Sequence, residues 1–121
     1  MRVWLRSVQF AAQGIAFALK HERNMRIHVV FAVLAILLII ILEVSKTEIL
    51  FVLLALFMVM ASELMNTAIE KTLDLAKPEV HPLAKAAKDC AAAAVLLCTI
   101  FAVIVGLVVF GPQLWEGPQW R

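Results

Sequence analysis

Residues 90–110 are twenty-one consecutive positions without a charge, broken only by Thr99 and Gly106. About 20 mostly apolar residues, rising ~1.5 Å each as a helix, cross the hydrocarbon core of a bilayer. A helix packed in a soluble domain keeps a polar face, and this segment has none. Residues 29–42 form a second uninterrupted apolar run, and residues 49–61 a third. Hydrophobic residues make up 64% of the 121 positions, against roughly 45–50% in soluble domains. One small domain cannot bury that much apolar surface in its own core. The expected fold is therefore an all-α membrane protein, a helical bundle whose outer faces are solvated by lipid.

The rest of the chain arranges itself around three spans within one membrane domain, residues 1–121. In residues 1–21, Trp4, Val8, Ala11, Ile15 and Leu19 recur at steps of three and four, while Arg2, Arg6, Gln9, Gln13 and Lys20 fall largely on other faces. That is the pattern of an amphipathic helix lying on the membrane surface, with an ordinary docked helix as the competing reading. The first span is expected over 26–43, where Arg26 and His28 can snorkel at a slightly short apolar stretch. A polar turn, residues 43–48, leads to a second helix over 49–75 that outlasts its apolar run and is ended by Pro78. The third is expected over 84–110, and residues 111–121 read as an interfacial tail whose tryptophans suit the headgroup level.

Lys and Arg sort strongly by side. Arg2, Arg6, Lys20, Arg23, Arg26, Lys71, Lys77, Lys85 and Lys88 fall on one side, and only Lys46 and Arg121 on the other. This bias predicts a cytoplasmic N-terminus and an external C-terminus. The net charge of +2, without a clustered basic stripe, argues against a nucleic-acid partner. Cys90 and Cys98 lie about 12 Å apart along one helix, too far to bond within it, and read as packing residues.

The second helix carries the feature that apolar composition does not explain. After the run 49–61 the chain places Glu63, Asn66, Glu70 and Asp74. At about 100° per residue, Asn66, Glu70 and Asp74 lie near −60°, −20° and +20° relative to Glu63, so the four form one stripe. Glu63 is its deepest member, and Glu70 lies about 10 Å nearer water. An ionisable residue inside a span is by default a functional one. Its depth suits Glu63 to general-base work.

Two further groups border the spans. Glu22 and Arg26 precede the first, as an ion pair four residues apart or as a carboxylate for Mg²⁺, an ion that takes one or two protein carboxylates when phosphate oxygens complete its octahedron. Lys85, Lys88 and Asp89 open the third span among alanines, whose small side chains let helices approach and bring these charges against the acidic stripe. The lysines also fit as positive-inside anchors. Carboxylates for a metal, cations for phosphate and a base for an acceptor hydroxyl are the parts that phosphoryl transfer needs. The chain contains no GxxxxGK[ST] or GxGxxG loop, so any phosphate site is built from helix side chains.

Taken together, Glu-Leu-Met-Asn-Thr-Ala-Ile-Glu (Glu63 to Glu70), the Glu-x-His of Glu79 to His81 and Ala-Lys-Asp (Ala87 to Asp89) resemble, in order and spacing, the signature of the small bacterial membrane lipid kinases. That family comprises diacylglycerol kinase and undecaprenol kinase, and the resemblance covers roughly residues 5–110. It implies an ATP- and Mg²⁺-dependent kinase of a membrane lipid alcohol, serving phospholipid or envelope lipid-carrier metabolism. It also implies a homotrimer in the bacterial cytoplasmic membrane with active sites between subunits. By the same resemblance Glu63 is the general base, contacting the lipid hydroxyl, and Asn66 is its neighbour. Glu22 and Glu70 are the metal carboxylates, Glu79, His81, Lys88 and Asp89 contact the nucleotide, and Arg26 joins the polar cluster as a substrate contact. Glu-Arg-Asn-Met-Arg-Ile-His, residues 22–28, and Val80, where an aromatic is common, depart from the Gram-negative diacylglycerol kinase pattern. The Glu-Arg-Asn form looks more like the undecaprenol kinase branch, so undecaprenol is the preferred acceptor. The rival reading is a small proton-coupled membrane transporter, against which stands the gathering of polar residues at one end of the helices.

Overall fold

The computed structural model describes residues 2–76 and 81–116. It consists of α1 (Arg2–His21), α2 (Arg23–Ile41), α3 (Lys46–Ala76) and α4 (Pro82–Glu116), with no strand among the described residues. The last three are long and apolar enough to cross a membrane. Their outward faces carry Phe31, Phe57, Leu97 and Leu107, more than three-fifths exposed, which in a bilayer is contact with lipid rather than with water. The chain is a helical membrane bundle.

At ~1.5 Å per residue the 31 residues of α3 reach about 46 Å, well beyond the roughly 30 Å hydrocarbon core. Its acidic end therefore projects past the lipid. Ser45 starts the helix. Its hydroxyl accepts the Glu48 backbone N–H at 3.2 Å, which satisfies one donor left open by the first turn, and donates to Glu48 Oε1 at 3.1 Å. Helix α4 packs antiparallel along α3. At one end Lys88 reaches Asp74, and at the other Gln113 Nε2 donates to the Glu43 carbonyl at 2.6 Å. The seam near that second end holds the buried cluster Val52, Ala55, Val105, Val109 and Phe110.

Helix α4 runs beyond Phe110 through Gly111 and Pro112 to Glu116. Proline forfeits one backbone hydrogen bond, but spans tolerate it where neighbouring groups re-satisfy the backbone, and the buried Gln113 anchors this turn. The tail beyond Glu116, with Trp120, lies outside the described residues. Cys90 and Cys98 are free, Cys98 half-buried and Cys90 on an exposed face.

Helix α2 packs on α3 but scarcely touches α4. Between α2 and α4, with α3 as floor, a groove of about 510 Å³ is left. Helices α1 and α2 are separated by one residue, Glu22, whose extended backbone (φ −110°, ψ 115°) turns the chain. Beneath this corner Ala18 and Met25 are fully buried.

Candidate active site

The acidic stripe folds as helical geometry dictates, and its deep end faces inward. Glu63 is 1% exposed, and Asn66 and Thr67 are buried beside it. A carboxylate at such depth is costly without a partner, and the partner comes from another helix. His28 Nε2 of α2 lies 3.4 Å from Glu63 Oε2. The approach is an ion-pair distance rather than a well-formed hydrogen bond, and Oε2 has no other hydrogen-bond partner. Asn66 Oδ1 and Thr67 Oγ1 are buried and unpartnered as well. Polar atoms left this way normally have a ligand, water or ion to meet.

One turn outward, Asn66 Nδ2 donates to Glu70 Oε1 at 3.4 Å, a long contact. Glu22 Oε1 lies 3.4 Å from Lys71 Nζ, which draws Glu22 from the α1–α2 corner to the level of α3 where Glu70 stands. The intrahelical Glu22–Arg26 pair weighed from spacing does not form, because Glu22 sits in the extended corner and not in the helix. Arg26 instead donates from Nη1 to the carbonyls of Leu19 at 3.0 Å and Lys20 at 3.1 Å. Those carbonyls are orphaned by the end of α1.

The outer groups gather at the same end. Lys88 Nζ is 2.7 Å from Asp74 Oδ1, across the α3–α4 seam, so the lysine meets the acidic stripe. Asp89 pairs within α4 with Lys85 at 2.6 Å, both well exposed, and does not join the Glu63 cluster. The His81 ring accepts the Leu83 backbone N–H at 3.1 Å at the start of α4. Glu79 lies outside the described residues. Sequence reasoning treated His28 only as a snorkelling side chain. The signal that marks it out is an ionisable residue inside the margin of a span, the same signal that marked Glu63.

The donors offered to a metal here are oxygens. The Glu22 and Glu70 carboxylates with the unpartnered Asn66 Oδ1 beside them suit a hard cation such as Mg²⁺. Among the described residues no cluster of three His, Cys, Asp or Glu side chains converges. Toward the apolar side, His28 also lines the groove between α2 and α4, with Phe31, Leu34, Met60, Thr99 and Gly106. A polar site and an apolar channel thus share one wall.

A family model described as prokaryotic diacylglycerol kinase matches residues 9–110. The chain belongs to that family. Its relatives include the undecaprenol kinase of Bacillus subtilis, 38% identical over 92% of this chain and 90% of the relative. The diacylglycerol kinase of a Synechocystis species is 41% identical over 89% of this chain and 62% of the relative. The diacylglycerol kinase of Haemophilus influenzae is 33% identical over 88% and 92%. The prokaryotic diacylglycerol kinase family is a family of membrane lipid kinases.

Proposed function

We propose that the chain transfers the terminal phosphoryl group of ATP to the hydroxyl of a membrane lipid alcohol, with undecaprenol preferred over diacylglycerol. The observation that carries this reading is the buried Glu63 carboxylate 3.4 Å from His28, a side chain that lines the apolar groove. A lipid whose chain lies in the groove brings its hydroxyl to that carboxylate. Glu63 accepts the hydroxyl proton as the alcohol oxygen bonds to the γ-phosphorus and the bond to the ADP oxygen breaks. Lipid alcohol and ATP thereby become lipid phosphate and ADP, with the proton left on Glu63.

Asn66, between Glu63 and Glu70, orients the two ends of the stripe. Glu22 and Glu70 hold Mg²⁺, whose contribution is to neutralise phosphate charge. Glu79, His81, Lys88 and Asp89 serve the nucleotide, and Arg26, by fixing the corner, keeps Glu22 in reach. In this reading the N-terminus is cytoplasmic, the membrane is the bacterial cytoplasmic membrane, and the protein works as a homotrimer. The greater likeness of residues 22–28 to the undecaprenol kinase branch and the Bacillus subtilis relative favour the polyprenol acceptor. Family membership favours a kinase over the proton-coupled transporter.

The test is phosphorylation by purified protein supplied with Mg²⁺, labelled ATP and undecaprenol or diacylglycerol in turn. Labelled lipid phosphate is expected from both, with higher kcat/KM for undecaprenol. Glu63→Gln should lose turnover by at least about a hundredfold, at the lower end of what general-base catalysis contributes, while assembling normally. Substantial turnover by that variant would remove Glu63 as the base.

A further inference from the structure

We propose that His28 is the positioning residue for Glu63, a role that rests on Glu63 being the base. Three observations converge on it. His28 Nε2 is 3.4 Å from Glu63 Oε2, and neither side chain is open to solvent, at 16% and 2% exposure. The two residues come from different helices, so the contact depends on tertiary structure and not on helical spacing. His28 is also a wall of the apolar groove, so it stands where an arriving hydroxyl passes from chain site to base.

A helical glutamate can rotate about χ1 and χ2 among several rotamers. Glu63 has Ser62 and Leu64 as neighbours in sequence, and Ser62 spends its hydroxyl on the Val59 carbonyl at 2.9 Å. Asn66, one turn on, donates to Glu70 instead. His28 is the side chain that approaches Glu63 Oε2, and from a second helix it can fix that oxygen. In the tautomer with hydrogen on Nε2 it donates to that oxygen, and a small closure of the 3.4 Å gap completes the bond. Glu63 Oε1 is then left to take the lipid proton. Misplacing a reacting group by about 1 Å costs on the order of a hundredfold in rate, so fixing the carboxylate matters more to kcat than to binding.

The experiment compares His28→Leu, His28→Gln and Glu63→Gln, alone and combined, in the same lipid-kinase assay. His28→Leu should lower kcat by roughly tenfold to a hundredfold, the weight of a hydrogen bond to a charged group, and leave KM for ATP unchanged. His28→Gln keeps a donor and should recover most of that loss. In the Glu63→Gln background His28→Leu should have no further effect, because a positioning residue has nothing left to position. Full activity of His28→Leu, an equal loss in His28→Gln, or additive losses in the double variant would each overturn the proposal. An active Glu63→Gln single variant would instead overturn the base assignment on which it rests, and the His28 role with it. Unaltered thermal stability of His28→Gln in detergent separates a kinetic effect from misfolding.

Discussion

At the scale of single residues, the polar end shows that a charge can serve the backbone as well as chemistry. Arg26, a substrate contact by the family resemblance, binds the Leu19 and Lys20 carbonyls with its guanidinium. Arg26→Ala would return those carbonyls to water at an exposed site, so the cost to stability should be modest, about 1 kcal/mol. The larger effect should fall on Glu22, whose corner is no longer pinned. The expected result is a small drop in thermal midpoint with a several-fold rise in the Mg²⁺ concentration for half-maximal rate. An unchanged Mg²⁺ dependence would separate the corner from the metal site. The acidic stripe itself was legible from the sequence, because Glu63, Asn66, Glu70 and Asp74 are fixed relative to one another by a single helix. His28 and Lys71 were not legible as partners. Each meets its carboxylate across two elements, and no local spacing encodes such a meeting.

At the scale of elements, apolar runs of these lengths could hardly form anything but helices in a membrane, and that much follows from backbone hydrogen bonding alone. Ends are a different matter. The Ser-Lys-Thr-Glu of residues 45–48 reads as a polar turn, yet the Ser45 hydroxyl caps the Glu48 backbone N–H. Ser-x-x-Glu spacing was the signal for it. Ser45→Ala should destabilise the protein by about 1 kcal/mol, seen as a lower thermal midpoint in detergent with kcat unchanged, since the cap lies at the end of α3 far from Glu63. A fall in kcat without loss of stability would show that this end is coupled to the site. The continuation of α4 past Gly111 and Pro112 was not legible for a physical reason. Both residues disfavour helix, and what holds the turn is Gln113 bound to Glu43, seventy positions earlier.

At the scale of the whole molecule, the arrangement is a clamped pair with a third helix leaning on it. Helices α3 and α4 are tied at both ends and packed between, whereas α2 packs on α3 and α1 and leaves the groove beside α4 open toward lipid. A substrate chain can then enter sideways from the bilayer without parting the seam. Gly106 lines that groove, and a Cβ there meets nothing within 4 Å, so Gly106→Leu fills the space without forcing the backbone. It should raise KM for the lipid several-fold and leave KM for ATP unchanged. Equal effects on both substrates, or on neither, would place the lipid chain elsewhere.

The corner at Glu22 ties this chemistry to the mechanics of the bilayer. With α1 as the surface helix that its amphipathic pattern predicts and α2 as a span, the angle between them is set by where the membrane holds each one. The residue that absorbs that angle, Glu22, is one of the two carboxylates proposed to hold Mg²⁺. An N-terminal tag, a thin bilayer or the curved belt of a micelle that tilts α1 is in effect an active-site perturbation. Rates measured in micelles and in flat bilayers therefore include a geometric contribution as well as a chemical one.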